Sequence, residues 1–158
     1  MRDKLFITAR RGGGLSIENH KKLMRWAIFC FERVLSYYGE MLDKPILNAV
    51  KVAELWQLDQ CSTGDAINAS QTVHALARTI ESPVSYAVAR AVGQGVATAH
   101  MADHCIGAAL YSEKALKLSG RSYDKERIIQ LSKLQDLPDD LIKLINTTLK
   151  MEAKGLGL

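Results

Sequence analysis

Apolar side chains recur every three and four positions along most of this chain. From about Ile17 to Tyr38, the residues His20, Leu23, Met24, Ala27, Cys30, Phe31, Val34, Leu35 and Tyr38 fall on one continuous helical face. Trp26 and Phe29 widen that face, and a helix apolar on more than one side is buried on more than one side. The pattern therefore predicts a central helix, opened by Ser16 as N-cap and stopped near Gly39.

Further helices follow at short intervals. Asp43 before Lys44-Pro45 reads as a cap with proline in the first turn of a helix to Gln57, its inner face Ile46, Leu47, Val50, Ala53, Leu55 and Trp56. Ser62-Thr63-Gly64-Asp65 reads as a capping box, with Asp in place of Glu, opening a helix to about Thr79. Ser82-Pro83 is the strongest start signal and leads into a helix of small residues to Ala99. Gly93 and Gly95 inside it each cost about 1 kcal/mol against Ala, so close packing on a bulky neighbour, Trp26 or Trp56, is expected to compensate. A break near Met101-Ala102, with Asp103 as the next cap, starts a helix to about Leu118. Two shorter helices complete the body, about Tyr123 to Gln135 and Pro138 to Lys150, with Asp136 a candidate cap for the second. No strand pattern accompanies them. The expected fold class is all-α, a single-domain bundle of six or seven mostly antiparallel helices.

Composition supports this reading. The 158 residues are 47% apolar and 24% charged, with three prolines, which is ordinary globular usage with a bias toward helix. No uncharged apolar run approaches the roughly 20 residues of a membrane-spanning helix. The net charge of +4 is unevenly placed: residues 1–25 hold seven basic against two acidic side chains, and the other residues hold 14 against 15. Residues 1–14 therefore read as a basic, flexible arm hinged at Gly12-Gly13-Gly14, residues 15–150 as the helical domain and 151–158 as a fraying tail. The arm has no interleaved aromatics beyond Phe6, so nucleic-acid binding is not favoured over a solvated terminus. Three cysteines without CxxC spacing, and a start lacking a signal-peptide apolar stretch, fit a reducing cytoplasm.

One dense polar cluster stands out, Thr98 to Cys105. On an unbroken helix His100 and His104 lie one turn apart, a spacing that binds Zn²⁺ when Asp103, Cys105, His74 or His20 supplies a third ligand. The catalytic form needs Glu after the first His, where this chain has Met101. The favoured reading is that both histidines satisfy backbone groups left free at a helix junction. A metal- or small-ligand-binding protein centred on this pair stays as the alternative. Glu32, Arg33 and Arg90 are charges in apolar helices; Arg90 is expected to pair with Glu32 or Glu54 of a neighbour rather than to anchor a substrate.

Two signatures carry a resemblance. The first is Arg25-Trp26-Ala27 with Cys30, Glu32, Arg33, Val34 and Leu35, then Asp43, Pro45 and Ala49. The second is Ala89-Arg90-Ala91-Val92-Gly93-Gln94, Val96-Ala97-Thr98-Ala99-His100, His104, Gly107-Ala108-Ala109-Leu110-Tyr111 and Lys114-Ala115. Together they resemble the bacterial immunity proteins of the Imm-5-like group over roughly Asn19 to Leu149. The glycine arm lies outside that pattern, and Gly95 and Cys105 stand where Ala is expected. The resemblance implies a small cytoplasmic all-helical protein that neutralises a cognate toxin by binding, without catalysis or cofactor. It carries over Glu32, Arg33, Arg90, His100 and His104 with no role assigned to each. A homodimer is left open, and the near-neutral body does not favour a nuclease as the toxin.

Overall fold

The computed structural model describes all 158 residues and contains seven α-helices: α1 Ile17–Glu32, α2 Lys44–Gln57, α3 Thr63–Ala77, α4 Pro83–Ala97, α5 His104–Leu118, α6 Tyr123–Leu131 and α7 Asp139–Ala153. They form one helical bundle without strands, as the periodicity predicts. None of them is long and apolar enough to cross a membrane.

Local capping chemistry sets several of the starts. The Ser16 hydroxyl accepts from Asn19 N–H at 3.1 Å, and Ser82 accepts from Ser85 N–H at 3.3 Å just before Pro83. The Ser62–Asp65 capping box closes in both directions, at 3.0 and 2.9 Å. Asp43 stands at the N-cap position of α2 with proline in the first turn, as expected, but its side chain does other work, and Asp136 does not cap α7. The Asp43 carboxylate accepts from the Tyr38 hydroxyl, and Asp136 uses its carbonyl to hold Lys22 at 2.9 Å while Pro138 occupies the N-cap position of α7. Boundaries shift accordingly. α1 ends at Glu32, followed by a 3-10 turn over Leu35–Tyr37, and α6 stops at Leu131.

α1 is buried on two sides. Met24, Ile28 and Phe31 face a core shared with α2, α3 and α4; Leu23, Trp26, Ala27 and Cys30 face a second core with α5 and α7. The Trp26 indole N–H donates to the Gln130 carbonyl at 2.8 Å, so this large ring is buried with its polar atom satisfied. On α2, Leu47 departs from the expected inner face and is 52% exposed, with Ala49 taking a core position.

α4 touches α1, α2, α3 and α5, and its small residues are what let them close in. The neighbours of its glycines are not the tryptophans. A Cβ on Gly93 would sit 2.5 Å from the His74 ring, and one on Gly95 would strike the ring of Phe31. Two carboxylates buried by the bundle, Glu113 and Glu126, are held by forked arginine contacts. Arg127 grips Glu113, with Nη2 to Oε2 at 2.5 Å, and Arg33 grips Glu126 at 2.5 and 3.1 Å. Such pairs are costly to desolvate and costlier to break, so they fix where α6 sits on α5 and α1.

Both termini carry short 3-10 turns. Within residues 1–15, Phe6 and Leu15 are buried in the bundle and most of the others are exposed. Two 3-10 turns, Lys4–Phe6 and Ala9–Arg11, lead into a bridge between Thr8 and Leu15. Gly12 has φ +82°, and a Cβ on Gly13 would collide with the Ile7 backbone, so these glycines close a tight loop. At the other end α7 runs to Ala153, and Lys114 and Lys117 hold the carbonyls of Leu156 and Gly157.

Helical glycines normally gain stability on replacement by alanine, by about 0.4–1 kcal/mol where the site is open. Gly64→Ala, whose Cβ would meet only the Ser62 hydroxyl at 3.5 Å, follows that rule. Gly95→Ala reverses it, because Phe31 is fully buried and has nowhere to move; a loss of about 1–3 kcal/mol in denaturant unfolding is expected.

Candidate functional site

The polar chemistry gathers where α4 hands over to α5. α4 leaves carbonyls free at its C-terminal end, and buried His20 of α1 donates from Nε2 to the Thr98 carbonyl at 2.6 Å. Burial lowers the pKa of His20, the carbonyl bond opposing, and its ring lies against Trp56 with centroids 4.9 Å apart. The junction carbonyl is therefore satisfied by a histidine far along the chain, and neither His100 nor His104 does that work. Asp103 stands at the N-cap position of α5 without capping it. Its carboxylate takes Arg2 Nε at 2.7 Å, and its second oxygen is buried without a partner.

His100 and His104 remain neighbours although the helix breaks between them, with ring centroids 5.3 Å apart and planes inclined by 43°. They face different clefts. The His104 Nδ1 lies 2.6 Å from the Gln94 side-chain oxygen, a partner that can only accept, so Nδ1 carries the proton and Nε2 is left as an acceptor. The Nδ1 of His100 is buried with no partner. Burial lowers the pKa of both rings; the cations of Arg11 and Arg2 add to this at His100, and the Asp103 carboxylate opposes it at both.

The ligand set considered for a metal is dispersed. His20 is committed to Thr98, His74 to Arg90, and Cys105 sits in the apolar core, where burial pushes its thiol pKa up. No three His, Cys, Asp or Glu side chains converge in a metal-holding arrangement.

Arg90 lies on α4 with Gln94 one turn on. It turns away from Glu32 and Glu54 and donates from Nη1 to His74 Nδ1 at 3.0 Å, with its guanidinium 5.2 Å from the centre of the Tyr111 ring. Its Nε is buried and unpartnered. Arg90, Gln94, His104, Gly107 and Tyr111 line one side of a cleft of about 410 Å³, and Glu152, Gly155 and Leu156 form part of its rim. α5 comes close enough here that a Cβ on Gly107 would lie 2.7 Å from the Gln94 amide oxygen. Burial raises the pKa of Glu152, and the nearby Asp103 carboxylate adds to it.

The remaining sequence candidates lie elsewhere. Arg33 is bound to Glu126 at the α1–α6 contact, and its guanidinium sits 5.4 Å from the Phe29 ring centre. Glu32 faces Glu54 across α1 and α2; burial and that second carboxylate raise its pKa. Neither lines the Arg90–His104 cleft. In the sequence reading His20 is a member of the inner face of α1 and a spare metal ligand, and His74 a spare metal ligand only. Their structural roles depend on partners 78 and 16 residues away, which helical spacing alone does not reveal.

An all-helical body with an arginine-, histidine- and tyrosine-lined cleft, in which Arg90 and His104 are each held by another side chain, has the makings of a binding domain. The chain belongs to the family described as Imm-5 like putative immunity protein, whose model matches residues 13–137. No curated protein and no solved structure gives a significant match. The match spans α1 to α6, so the arginine side of the cleft lies inside it, while Glu152 to Leu156 and the first twelve residues lie outside.

His74 supplies a pH test. Burial, then the charges of Arg90, His104 and Arg78, lower its pKa from 6.5 to about 4. The folded state then binds fewer protons than the unfolded chain across that window. Stability from this group is complete above pH 6.5 and is lost as pH falls toward 4. In thermal unfolding between pH 7 and 4, His74→Gln, which keeps an acceptor for Arg90, is expected to show a flatter fall in Tm than the parent. Parallel curves would show that His74 does not titrate this way.

Proposed function

We propose that this chain is an immunity protein that binds a cognate bacterial toxin and blocks it without catalysing a reaction. The observation that carries this reading is the family match over residues 13–137. The geometry supports it in a second way. The Arg90 guanidinium is oriented by His74 and Tyr111, and His104 by Gln94, so the cleft offers fixed charge and hydrogen-bonding groups to a partner surface. Preorganised groups of this kind favour binding because little side-chain entropy is lost on association.

In this proposal Arg90 and His104 form the recognition surface, while His100 faces the neighbouring cleft, Arg33 acts through its pair with Glu126 and Glu32 borders a separate face. Inhibition is by occlusion of the toxin's working surface, aided by charge complementarity at the rim. The surplus of positive charge sits near the amino terminus and the rest of the chain is close to neutral, so the protein does not imitate a polyanion. The proposed site of action is the cytoplasm, as a monomer or homodimer, and no cofactor enters the mechanism. A metal- or small-ligand-binding centre on His100 and His104 is the weaker reading, since no third ligand joins them.

The test is co-expression with each neighbouring reading frame of the source strain. One frame is expected to be toxic alone and harmless with this chain, and the two products should co-purify in fixed stoichiometry. Arg90→Gln should weaken that complex by about tenfold or more, the scale of a lost charge-assisted contact, while leaving helical content unchanged. Protection that persists without any complex would contradict the proposal.

A further inference from the structure

A second cleft, of about 520 Å³, lies on the other side of the α4–α5 junction, between that junction, α1, α2 and the packed amino-terminal segment. Its volume is within the roughly 300–1,000 Å³ of small-molecule sites. The apolar wall is made by Phe6, Leu15, Trp56 and Ala99, and it carries no function in the binding scheme above. The polar groups lining it include Arg2, Arg10, Arg11 and His100, and no carboxylate lines it.

The charges are unequal in availability. Arg2 is neutralised by Asp103. Arg10 and Arg11 make no ion pair and are exposed at the cleft, which leaves two uncompensated cations beside an apolar wall. Arg11 is close enough to His100 to help hold that ring neutral, and the His100 Nδ1 is buried without a partner. The loop that presents the two arginines is fixed: Arg11 N–H donates to Thr8 at 2.8 Å, Leu15 N–H to Ile7 at 3.0 Å and Ala9 N–H to Leu15 at 2.9 Å. The arginines therefore project from an ordered turn, not from a loose tail. A nucleic-acid backbone needs an extended basic track with stacking rings, whereas this is a concave pocket with cations at one side.

The geometry points to a ligand site for a small amphipathic anion, one carboxylate or phosphate on an apolar body, with its head on Arg10 and Arg11 and its body against Phe6, Leu15 and Trp56. This site stands apart from the toxin-binding proposal, since it is a different cleft and its cations, Arg10 and Arg11, lie outside the family match.

Octanoate, octyl phosphate, octanol and octylammonium are matched probes for it. They would be titrated into the full chain by calorimetry at roughly 0.1 M ionic strength, where exposed charges are only partly screened. The two anions should bind saturably with one-to-one stoichiometry, octanol about tenfold more weakly or less well, and octylammonium not at all. Both arginines are exposed, so Arg10→Ala with Arg11→Ala should leave Tm unchanged and reduce octanoate to the level of octanol; Arg10→Lys with Arg11→Lys should retain most of the binding. Preference for the phosphate over the carboxylate would identify the head group. Equal binding of octanoate and octanol, unchanged affinity in the double alanine variant, or no saturable binding of either anion would overturn the assignment.

Discussion

The ring of Phe31 rests on the bare backbone of Gly95, and the ring of His74 rests on Gly93, two residues earlier and on the opposite side of the helix. The rest of the bundle is arranged around these approaches. Two glycines inside a helix cost about 2 kcal/mol together in backbone terms. They are retained because a methyl group at either position would force apart helices already packed without space between them. α4 is therefore the element against which α1 and α3 are seated, and its own helical preference is subordinate to that packing.

The same constraint shapes the polar site. With α3 close, His74 reaches Arg90; with α5 close, Gln94 lies over Gly107 and accepts from His104; with α1 close, His20 reaches the Thr98 carbonyl. Three of the four histidines thus serve as neutral donors or acceptors inside the bundle, and their lowered pKa values follow from that burial. The cost of burying them is offset by hydrogen bonds, as it must be for polar groups taken from water. Arg90 and His104 are in turn held in fixed orientations on one side of the junction, while His100 faces the arginine-lined cleft on the other.

The fold was legible in the sequence to a large extent, and for a physical reason. Three-and-four periodicity in the first helix, the Ser62–Asp65 box and the Ser82-Pro83 start are local signals, and local hydrogen bonds execute them. What failed was tertiary. Asp43 does stand at the N-cap of α2, but its carboxylate takes the Tyr38 hydroxyl instead of a helix N–H, and Asp136 looks like a cap but holds Lys22 through its carbonyl. Local pattern is also silent on Phe6 and Leu15, which enter a hydrophobic core on either side of the Gly12–Gly14 loop. For the site, the cluster around His100 and His104 was located correctly as a helix junction, but its bonding was not. Arg90 meets His74 and Tyr111 instead of a carboxylate, and Glu32 and Arg33 belong to other contacts. Spacing along one helix states which residues share a face, and it is silent on which face of another helix they meet.

A double-mutant cycle on Gly93 and His74, followed by denaturant unfolding, addresses the claim that bare backbone on α4 seats its neighbours. Gly93→Ala alone should destabilise by about 1–3 kcal/mol through collision with the His74 ring. Adding His74→Ala opens that space, so the double variant should be more stable than the sum of the two single effects by about 1 kcal/mol or more. Additivity to within about 0.5 kcal/mol would contradict the account, because it would mean that the two positions do not press on each other.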